Sequence, residues 1–382
     1  MNLCKTDLCT GCGACYNICP KEAIEFVPNE MGFKYPRISE EKCVECHQCE
    51  RVCPILNMMS LAKPQKVFAA FSRNNSIRAN SASGGIATEL GKAIVQIGGV
   101  VFGVQQTDGI HAEFNCASTV EELSKFQNSK YVESILGTAY DDVRAMLKNG
   151  KTVLFVGLPC QVAGLLNYIP KSLQEKLFVI DLVCHGTPSA AFFEECLKEE
   201  YGEDARVIAF RNTEAQFFLK VQKKWFTADY PPPTDLYYNS FTECYSYRES
   251  CYHCSFAQIN RVSDLTIGDF WGLGDETPYP YDTQKVSLVM QNTEKGKQLL
   301  ELICNDVQID ERNLEEATRQ NAQLCHPSVK NELAKQFQIS CQHMNSYQAA
   351  LKISGRFVRY QKARYKLSRL KRKLISFVKS VT

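Results

Sequence analysis

The chain has 382 residues, of which 45% are hydrophobic and 23% charged, a composition typical of a globular protein of two or three domains. It contains no apolar run long enough to span a bilayer and no secretory signal at its start, so we expect a cytoplasmic protein. The formal net charge of +2 includes a basic segment, residues 355–382, with ten Lys and Arg and no acidic residue. The rest of the chain is therefore acidic, which argues against nucleic-acid binding.

Cysteine is concentrated at the start of the chain, where nine of the 19 cysteines lie within the first 60 residues. Without an export signal, clustered cysteines indicate metal or redox chemistry rather than a disulfide scaffold. Two runs share the spacing C-x2-C-x2-C-x3-C-P, and their members are Cys9, Cys12, Cys15 and Cys19, then Cys43, Cys46, Cys49 and Cys53. Residues 1–59 are therefore predicted to form an α+β ferredoxin-like module with two 4Fe–4S clusters.

The fourth cysteine of each such run ligates the cluster built on the other run. The predicted ligands of cluster I are Cys9, Cys12, Cys15 and Cys53, and those of cluster II are Cys43, Cys46, Cys49 and Cys19. A pair of zinc sites is the alternative, which two complete four-cysteine runs disfavour. We interpret His47 as a neighbour of cluster II and Cys4 as a spare thiol.

From residue 67 onward, short apolar strands alternate with helical patterns, which predicts an α/β domain with a mostly parallel sheet. Strands are expected at 67–72, 98–104, 152–158, 177–183 and 263–271, and helices at 84–97, 119–127, 141–148, 159–169 and 189–201. Residues 285–303 have the pattern of a strand, a turn and a helix. The predicted divisions after the ferredoxin module are 67–150 and 151–305 for the two parts of this domain, 306–354 for a helical extension, and 355–382 for a basic helix.

Four further cysteines occupy positions typical of a site. Cys160 and Cys184 follow buried strands, at the end of a sheet where α/β domains bind ligands, and Cys251 and Cys254 form a C-x2-C. We predict a third iron–sulfur cluster on these four side chains. A zinc site, unrelated thiols, and replacement of one ligand by Cys244 are the alternatives.

The segment SASGGIATEL, residues 81–90, places small residues at a predicted helix start. Free amides and the helix dipole favour a pyrophosphate there, although an ordinary capped helix has the same pattern. The residues concerned are Ser81, Ser83, Gly84 and Gly85. No G-x-G-x-x-G fingerprint or P-loop occurs, so a Rossmann dinucleotide site or an NTPase is not supported.

Taken in order, the two ferredoxin runs, SASGG, SKYVES, GLPCQ, DLVCHG, the C-x2-C and SDLTIGDFWG resemble the family of beta subunits of coenzyme F-420-reducing hydrogenases and dehydrogenases over residues 5–305. The resemblance implies a flavoprotein with FAD and 4Fe–4S clusters that relays single electrons to or from a hydride-accepting substrate. By motif it assigns Ser81, Ser83, Gly84 and Gly85 to the flavin phosphates, Lys130 and Ser134 to the flavin surroundings, and Asp269 and Phe270 to the pocket. The residues DFW in GDFWG resemble bacterial members associated with surface-polysaccharide biosynthesis, which leaves the deazaflavin substrate open.

The resemblance implies two kinds of partner, a redox protein such as reduced ferredoxin and a small-molecule substrate. An electron-carrier subunit without its own substrate site is the alternative function, and a cluster- or zinc-stabilised scaffold is another. The basic tail has apolar residues three or four apart, which predicts an amphipathic helix, and these are Phe357, Tyr360, Ala363, Leu367, Leu370, Leu374, Phe377 and Val381. Such a helix adsorbs to the anionic inner face of a membrane or packs on the body or a partner.

Overall fold

The computed structural model describes residues 3–212, 214, 216–224 and 226–381, with the side chains of 372–381 outside the description. The strands are β1 Ile24–Pro28, β2 Lys34–Ile38, β3 Lys66–Ser72, β4 Val100–Thr107, β5 His111–Ala117, β6 Val153–Gly157, β7 Leu177–Leu182, β8 Arg206–Arg211, β9 Phe217–Gln222, β10 Thr227–Tyr230, β11 Leu265–Asp269, β12 Ser287–Gln291 and β13 Val307–Arg312. The helices are α1 Ala14–Ile18, α2 Gln48–Val52, α3 Asn75–Asn80, α4 Ile86–Gln96, α5 Ala139–Lys148, α6 Pro159–Tyr168, α7 Ala190–Tyr201, α8 Leu236–Thr242, α9 Glu294–Leu302, α10 Leu314–Arg319, α11 Glu332–Cys341 and α12 Ser346–Val381. Short 3-10 turns occur at Thr6–Leu8, Glu121–Phe126, Lys171–Lys176, Pro232–Thr234, Glu249–His253 and Ala322–Leu324.

The central sheet has eight strands in the order β13-β3-β12-β11-β7-β6-β4-β5. Its inner strands β11, β7, β6 and β4 are parallel, while the strands on both sides pair antiparallel. Strand β6 reads VLFVG and is apolar along its length, as expected for a strand covered by helices on both faces. The predicted α/β class with a parallel centre is confirmed, and the antiparallel edges are additions to it.

The two faces of the central sheet are covered by different helices. On one face, α4 and α9 contribute Leu90 and Leu299 to a core with Leu154 and Ile180. On the other face, α5 and α6 pack against β4 and β6. Because β6, β7 and β11 are parallel, their carboxyl ends lie at one edge of the sheet, where α/β domains bind ligands.

The ferredoxin domain is a β1–β2 hairpin with one short helix inside each cysteine run, between its second and fourth cysteines. It packs through those helices, since Ala14 of α1 and Val52 of α2 share a core with Tyr140 of α5 and Leu165 of α6. This contact brings the first cysteine run to the start of α6.

A third layer consists of the small sheet β10-β9-β8 and of helices α7, α8, α11 and α12. Its core is aromatic, with Phe193, Phe210, Tyr237 and Tyr238 buried together. It lies against the open edge of the central sheet and supplies β8 and β9 to the site described below.

Three predicted boundaries differ from the structure. Residues 306–354 were expected to be helical, yet Val307–Arg312 forms β13 and extends the central sheet beyond residue 305. The basic helix begins at Ser346 rather than 355, because α12 runs through Ser354 and Gly355 without a break. The expected helix at 119–127 is a 3-10 turn over Glu121–Phe126.

The first half of α12 packs on the body, with Ala350 and Val358 buried and Lys362 Nζ 3.0 Å from Glu200 Oε2. Beyond that point Leu367 and Leu370 are exposed, at 60% and 57%. The predicted apolar positions Leu374, Phe377 and Val381 lie outside the described side chains. Among the described helices, none combines the length and the apolar character needed to cross a membrane.

Candidate functional site: cysteine clusters beside a large cavity

Each ferredoxin run is a tight loop that turns into a short helix. The turn needs left-handed backbone, which Gly11 and Gly13 supply in the first run, with φ of 69° and 74°, and His47 supplies in the second, with φ of 57°. Such loops point successive thiols inward, and Cys19 and Cys53 follow at the ends of α1 and α2. This is the local geometry in which a four-cysteine run encloses an iron–sulfur cluster.

The predicted ligands of cluster II surround one small cavity of about 20 Å³, which is lined by Cys19, Cys43, Cys46 and Cys49. Cys19 comes from the first run and the other three from the second, so the structure brings together the crossed set. The ring of His47 is turned to Glu50, with Nδ1 3.0 Å from Oε2.

The predicted ligands of cluster I also lie together. Burial, and then the charges of Cys9 and Cys53, raise the pKa of Cys12 to about 12. Burial, and then the charges of Cys12, Cys9 and Cys53, also raise the pKa of Cys15. Interactions with Cys53 and Cys9 raise the pKa of the Cys4 thiol, which was expected to be a spare one. It is therefore a neighbour of the cluster I set.

A second cavity, of about 50 Å³, is lined by Cys160, Cys184, Cys251 and Cys254. We call it the four-cysteine cavity. Cys160 stands in the first turn of α6 and Cys184 follows β7. Cys251 lies within the 3-10 turn Glu249–His253, and Cys254 follows directly after it. Cys244, the alternative ligand, lies elsewhere and lines a different cavity.

Burial is the first cause that raises the pKa of each of these four thiols, and for Cys160, Cys184 and Cys251 the neighbouring cysteines raise it further. Thiolates this close together repel one another, so the set needs positive charge to balance it, and the iron of a cluster would supply that charge. In the part of the chain that the structure describes, no three His, Cys, Asp or Glu side chains are placed to hold a single metal ion.

The four-cysteine cavity is also lined by Thr10 and Gly11 of the first ferredoxin run. Gly164 of α6 packs closely against this run, since a Cβ there would lie 3.1 Å from Cys12 Sγ. The cluster I set and the four-cysteine cavity are therefore direct neighbours.

A large cavity of about 650 Å³ lies at the open ends of the central strands and is lined there by Gly157, Leu182 and Asp269. Its volume is within the range of small-molecule and cofactor pockets, about 300–1,000 Å³. Seven residues line both this cavity and the four-cysteine cavity, namely Ser134, Leu158, Gln161, Cys184, His185, Gly186 and Thr187. The two cavities share a wall that is one layer of residues thick.

Helix α4 begins at this large cavity, which is lined by the residues 85–88. Among the described residues, no backbone carbonyl accepts from the amides of Ile86 and Ala87. Unpaired amides at the positive end of a helix dipole form a site for an anion such as a phosphate.

Three of the four residues predicted at this position line the cavity, and Gly84 does not. The Gly84 amide donates to Ser287 Oγ at 2.9 Å, and a Cβ there would lie 2.3 Å from the carbonyl oxygen of Ala70. Gly84 is thus required for packing against β3, which corrects its assignment to a phosphate.

The two serine hydroxyls at this position have their protons engaged. Ser81 Oγ donates to the carbonyl of Ile77 at 2.8 Å, and Ser83 Oγ donates to that of Val286 at 3.0 Å. Their oxygens can only accept in this arrangement, so the amides of Ile86 and Ala87 are the available donors for an anion.

Lys130 lines the large cavity, and its ammonium lies within hydrogen-bonding distance of the carbonyls of Phe126, Gln127 and Asn128, at 2.9 to 3.3 Å. Burial lowers the pKa of this ammonium to about 7. Lys130 can therefore exist in either protonation state near neutral pH, on the wall of the cavity.

Asp269 also lines the large cavity, and it is paired with Arg211, a residue that sequence reasoning missed. Arg211 Nη2 lies 2.5 Å from Asp269 Oδ2, and its Nε donates to the Tyr131 hydroxyl at 2.6 Å. Arg211 comes from β8, and no sequence motif includes it. Because both residues line the cavity, the ion pair fixes the orientation of the Arg211 guanidinium and the Asp269 carboxylate relative to a bound ligand.

The pocket assignment of Phe270 is also corrected. Phe270 is buried on the other face of β11 with Val67, Ala69 and Leu288. The next residue, Trp271, lines the cavity and stacks on Phe217 with an interplanar angle of 9°.

Residues 150–317 match the family model that describes the C terminus of the beta subunit of coenzyme F420 hydrogenase/dehydrogenase, and residues 8–56 match that of the 4Fe-4S dicluster domain. Each match covers part of the chain, one over the second half of the α/β domain and one over the ferredoxin domain. The motif order predicted both similarities, and an iron–sulfur protein with a redox role is supported by them.

Among characterised relatives, the chain is 23% identical over 324 residues to one subunit of the F(420)H(2) dehydrogenase of Methanosarcina mazei, covering 80% of this chain and 85% of that protein. Over 66 residues it is 38% identical to an uncharacterised polyferredoxin-like protein of Methanocaldococcus jannaschii, covering 15% of this chain and 39% of the relative. A chain of the F420-reducing NiFe hydrogenase complex of Methanosarcina barkeri superposes with a TM-score of 0.48 at 16% identity, over 73% of this chain and 94% of that one.

Proposed function

We propose that this protein is an iron–sulfur flavoprotein that passes single electrons between three 4Fe–4S clusters and an FAD bound in the large cavity. The observation that carries the proposal is the wall shared by the large cavity and the four-cysteine cavity. A cluster in one and a flavin in the other would be separated by a single layer of residues. Thr10 and Gly11 of the cluster I loop line the four-cysteine cavity on its other side. Cluster I, the third cluster and the flavin would therefore be successive neighbours along one electron-transfer path.

The ligands that we propose for the clusters are the three sets described above, Cys9, Cys12, Cys15 and Cys53; Cys19, Cys43, Cys46 and Cys49; and Cys160, Cys184, Cys251 and Cys254. For the FAD, the amides at the start of α4 would hold the pyrophosphate, with Ser81, Ser83 and Gly85 beside it. Lys130, Ser134, Arg211 and Asp269 would surround the ring system. Bound flavin would supply the exchange between single electrons and hydride equivalents.

The name of the Methanosarcina relative makes reduced coenzyme F420 the first substrate to test. The DFW motif makes a hydride acceptor of surface-polysaccharide biosynthesis the second. A redox partner such as reduced ferredoxin would exchange electrons at cluster II. Val44 lines that cavity and is 57% exposed, so the cluster II set lies close to the surface. An electron-carrier subunit without flavin is the alternative function.

Anaerobic purification followed by a visible spectrum, extraction of flavin and iron analysis tests the proposal. We expect flavin bands, about one FAD and about twelve irons per chain. Clusters without flavin would favour the electron-carrier alternative, and a colourless zinc protein would contradict both. Bleaching of the flavin band by reduced coenzyme F420, under the same conditions, would identify the substrate.

We also propose that the outer half of α12 contacts an anionic membrane surface. The supporting observation is that Tyr360, Leu367 and Leu370 are exposed on a helix whose charged side chains are basic from residue 356 onward. Exposed apolar side chains between Lys and Arg fit the interface of an anionic bilayer, where each basic residue contributes about 1 kcal/mol.

A further inference from the structure

Arg248 is one of the most deeply buried side chains in the protein, with 2% of its surface exposed. Its Nη2 donates to Glu133 Oε1 and to the carbonyl of Lys34, at 3.1 Å for the latter. The guanidinium lies between the rings of Phe33 and Tyr35, with centroids 4.8 and 4.7 Å from Cζ. A cation is thus held in an interior that has a single carboxylate to balance it.

On one side, Arg248 contacts the loop of the cluster I set. A Cβ on Gly11 would lie 2.9 Å from Nη2 and 3.0 Å from Cζ, and Gly11 has a left-handed φ of 69°. Only a glycine therefore lets the loop between Cys9 and Cys12 approach the guanidinium this closely.

On its other side, the backbone of Arg248 is tied to the four-cysteine cavity. Its amide donates to the carbonyl of Thr187 at 3.1 Å, and the amide of Cys251 donates to the Arg248 carbonyl at 2.9 Å. The positive charge acts on the thiols of both Cys9 and Cys251. Arg248 therefore lies between two cysteine sets.

One nitrogen of the guanidinium has no protein partner. Nη1 is buried without a hydrogen-bond acceptor anywhere in the described part of the chain. A buried donor left unpaired costs about 1–3 kcal/mol, and more when it is charged. Sulfur atoms of an iron–sulfur cluster accept such bonds, and these bonds and nearby charge set the cluster's reduction potential.

We propose that Arg248 is a positioning residue that raises the reduction potentials of cluster I and of the cluster in the four-cysteine cavity together, by its charge and by an Nη1 hydrogen bond to cluster sulfur. The proposal rests on the proposed function, since it requires clusters at both places. Arg248 should not affect the potential of cluster II, because it does not line the cluster II cavity.

The experiment is an EPR-monitored redox titration of the reconstituted full-length protein, with Arg248→Met, Arg248→Lys and Glu133→Gln. In Arg248→Met, we expect the potentials of cluster I and of the third cluster to become more negative, and that of cluster II to stay unchanged. Arg248→Lys should shift these two potentials less, because lysine keeps the positive charge and loses only the paired terminal nitrogens of the guanidinium. Glu133→Gln should shift the same two potentials to more positive values, since it leaves the cation uncompensated.

Arg312→Lys is the matched control, since Arg312 is a largely covered arginine that pairs with Glu316 and lines neither the four-cysteine cavity nor the cluster II cavity. Equal shifts in all three clusters of Arg248→Met, or shifts in Arg312→Lys as large, would overturn the proposal. So would unchanged potentials in both Arg248→Met and Glu133→Gln. If the unsubstituted protein lacks the third cluster, the proposed function fails instead, and iron analysis separates that case from the others.

Discussion

Gln161 Nε2 donates a hydrogen bond of 2.9 Å to Ser134 Oγ, and both side chains line the four-cysteine cavity as well as the large cavity. The same amide accepts from the Leu158 backbone through Oε1 at 2.9 Å, which ties the start of α6 to the segment that carries Lys130. This bond fixes the two sides of the shared wall relative to each other, and it stands at the point where electrons would pass between the proposed sites.

The first prediction concerns the third cluster. Cys251→Ser should lower the iron content by about four per chain, because the four-cysteine cavity would lose one of its ligands. Iron analysis after anaerobic reconstitution measures this, and Cys304→Ser is the control, since that thiol is exposed and remote from the cavity. An equal iron content in Cys251→Ser and Cys304→Ser would show that the four-cysteine cavity holds no iron–sulfur cluster.

The second prediction tests the crossed ligands of the ferredoxin domain. Cys19→Ala and Cys43→Ala should each remove cluster II, so the double variant should retain about eight irons, as each single variant does. Combining Cys19→Ala with Cys12→Ala should leave about four, because two clusters are lost. If instead the variant with Cys19→Ala and Cys43→Ala kept about four irons and the variant with Cys19→Ala and Cys12→Ala kept about eight, Cys19 would be a ligand of the cluster in its own run.

The third prediction concerns the start of α4. Ala87→Glu adds a negative charge to a residue that lines the cavity, so it should repel a phosphate there. An acidic side chain in the first turn interacts favourably with the helix dipole, so we expect the fold to be preserved. We expect flavin to be lost with unchanged iron content and unchanged thermal stability. Ala87→Gln, which has the same size without the charge, should retain more flavin. Gly84→Val is unsuitable here, since its side chain would clash with the carbonyl of Ala70.

Full flavin occupancy in Ala87→Glu, in a folded protein with its clusters, would show that the start of α4 is an ordinary helix end. The comparison of Glu with Gln separates repulsion of phosphate from loss of space.

The fourth prediction follows from Lys130, whose pKa is lowered by burial to about 7. Between pH 7 and pH 10 the unfolded chain binds a proton at this lysine that the folded chain does not, so its contribution to stability rises with pH in that interval. Below pH 7 both states are protonated and the burial penalty is fully present. Relative to Lys130→Met, the unsubstituted protein should gain up to about 4 kcal/mol of unfolding free energy from pH 7 to pH 10.

Denaturant unfolding at several pH values measures that difference, in which the titrations common to both proteins cancel. Curves that run parallel from pH 7 to pH 10 would mean that the carbonyls around Nζ keep the ammonium charged throughout.

The fifth prediction concerns the outer half of α12. The protein should co-sediment with anionic vesicles at low salt and be released at high salt, because the attraction of exposed charges is screened. Truncation after Ala363 keeps the packed residues Val358 and Lys362 and should abolish binding. Leu367→Ser with Leu370→Ser keeps every charge and should weaken binding by removing apolar contact. Absence of vesicle binding, with a lower melting temperature on truncation, would indicate a helix that packs on protein.

The sequence predicted those parts of the site that are formed by residues close together in the chain. The cysteine runs, the strand-to-helix turns at Cys160 and Cys184, and the start of α4 are all set by neighbouring residues. Gly84 and Phe270 were misassigned because the face that a residue presents depends on β3 and β12, which are distant in sequence. Arg211 and Arg248 were missed because each meets its carboxylate only after folding, although Arg248 stands three residues before a C-x2-C. Strand β13 was missed because VQIDER is short and charged.

The position of β3 in the central sheet governs when the large cavity can form. Ala70 pairs with Ser287 on one side and with Ile309 on the other, so the first strand of the domain finds its partners more than 200 residues later. Contacts of such separation form late, and N-terminal domains fold first during synthesis. The thiols of residues 9–53 therefore leave the ribosome and become available for iron well before the cavity exists, whose walls include Ser81, Ser287 and Asn321. A cofactor that needs all of these walls would bind only after the chain has been synthesised past Asn321.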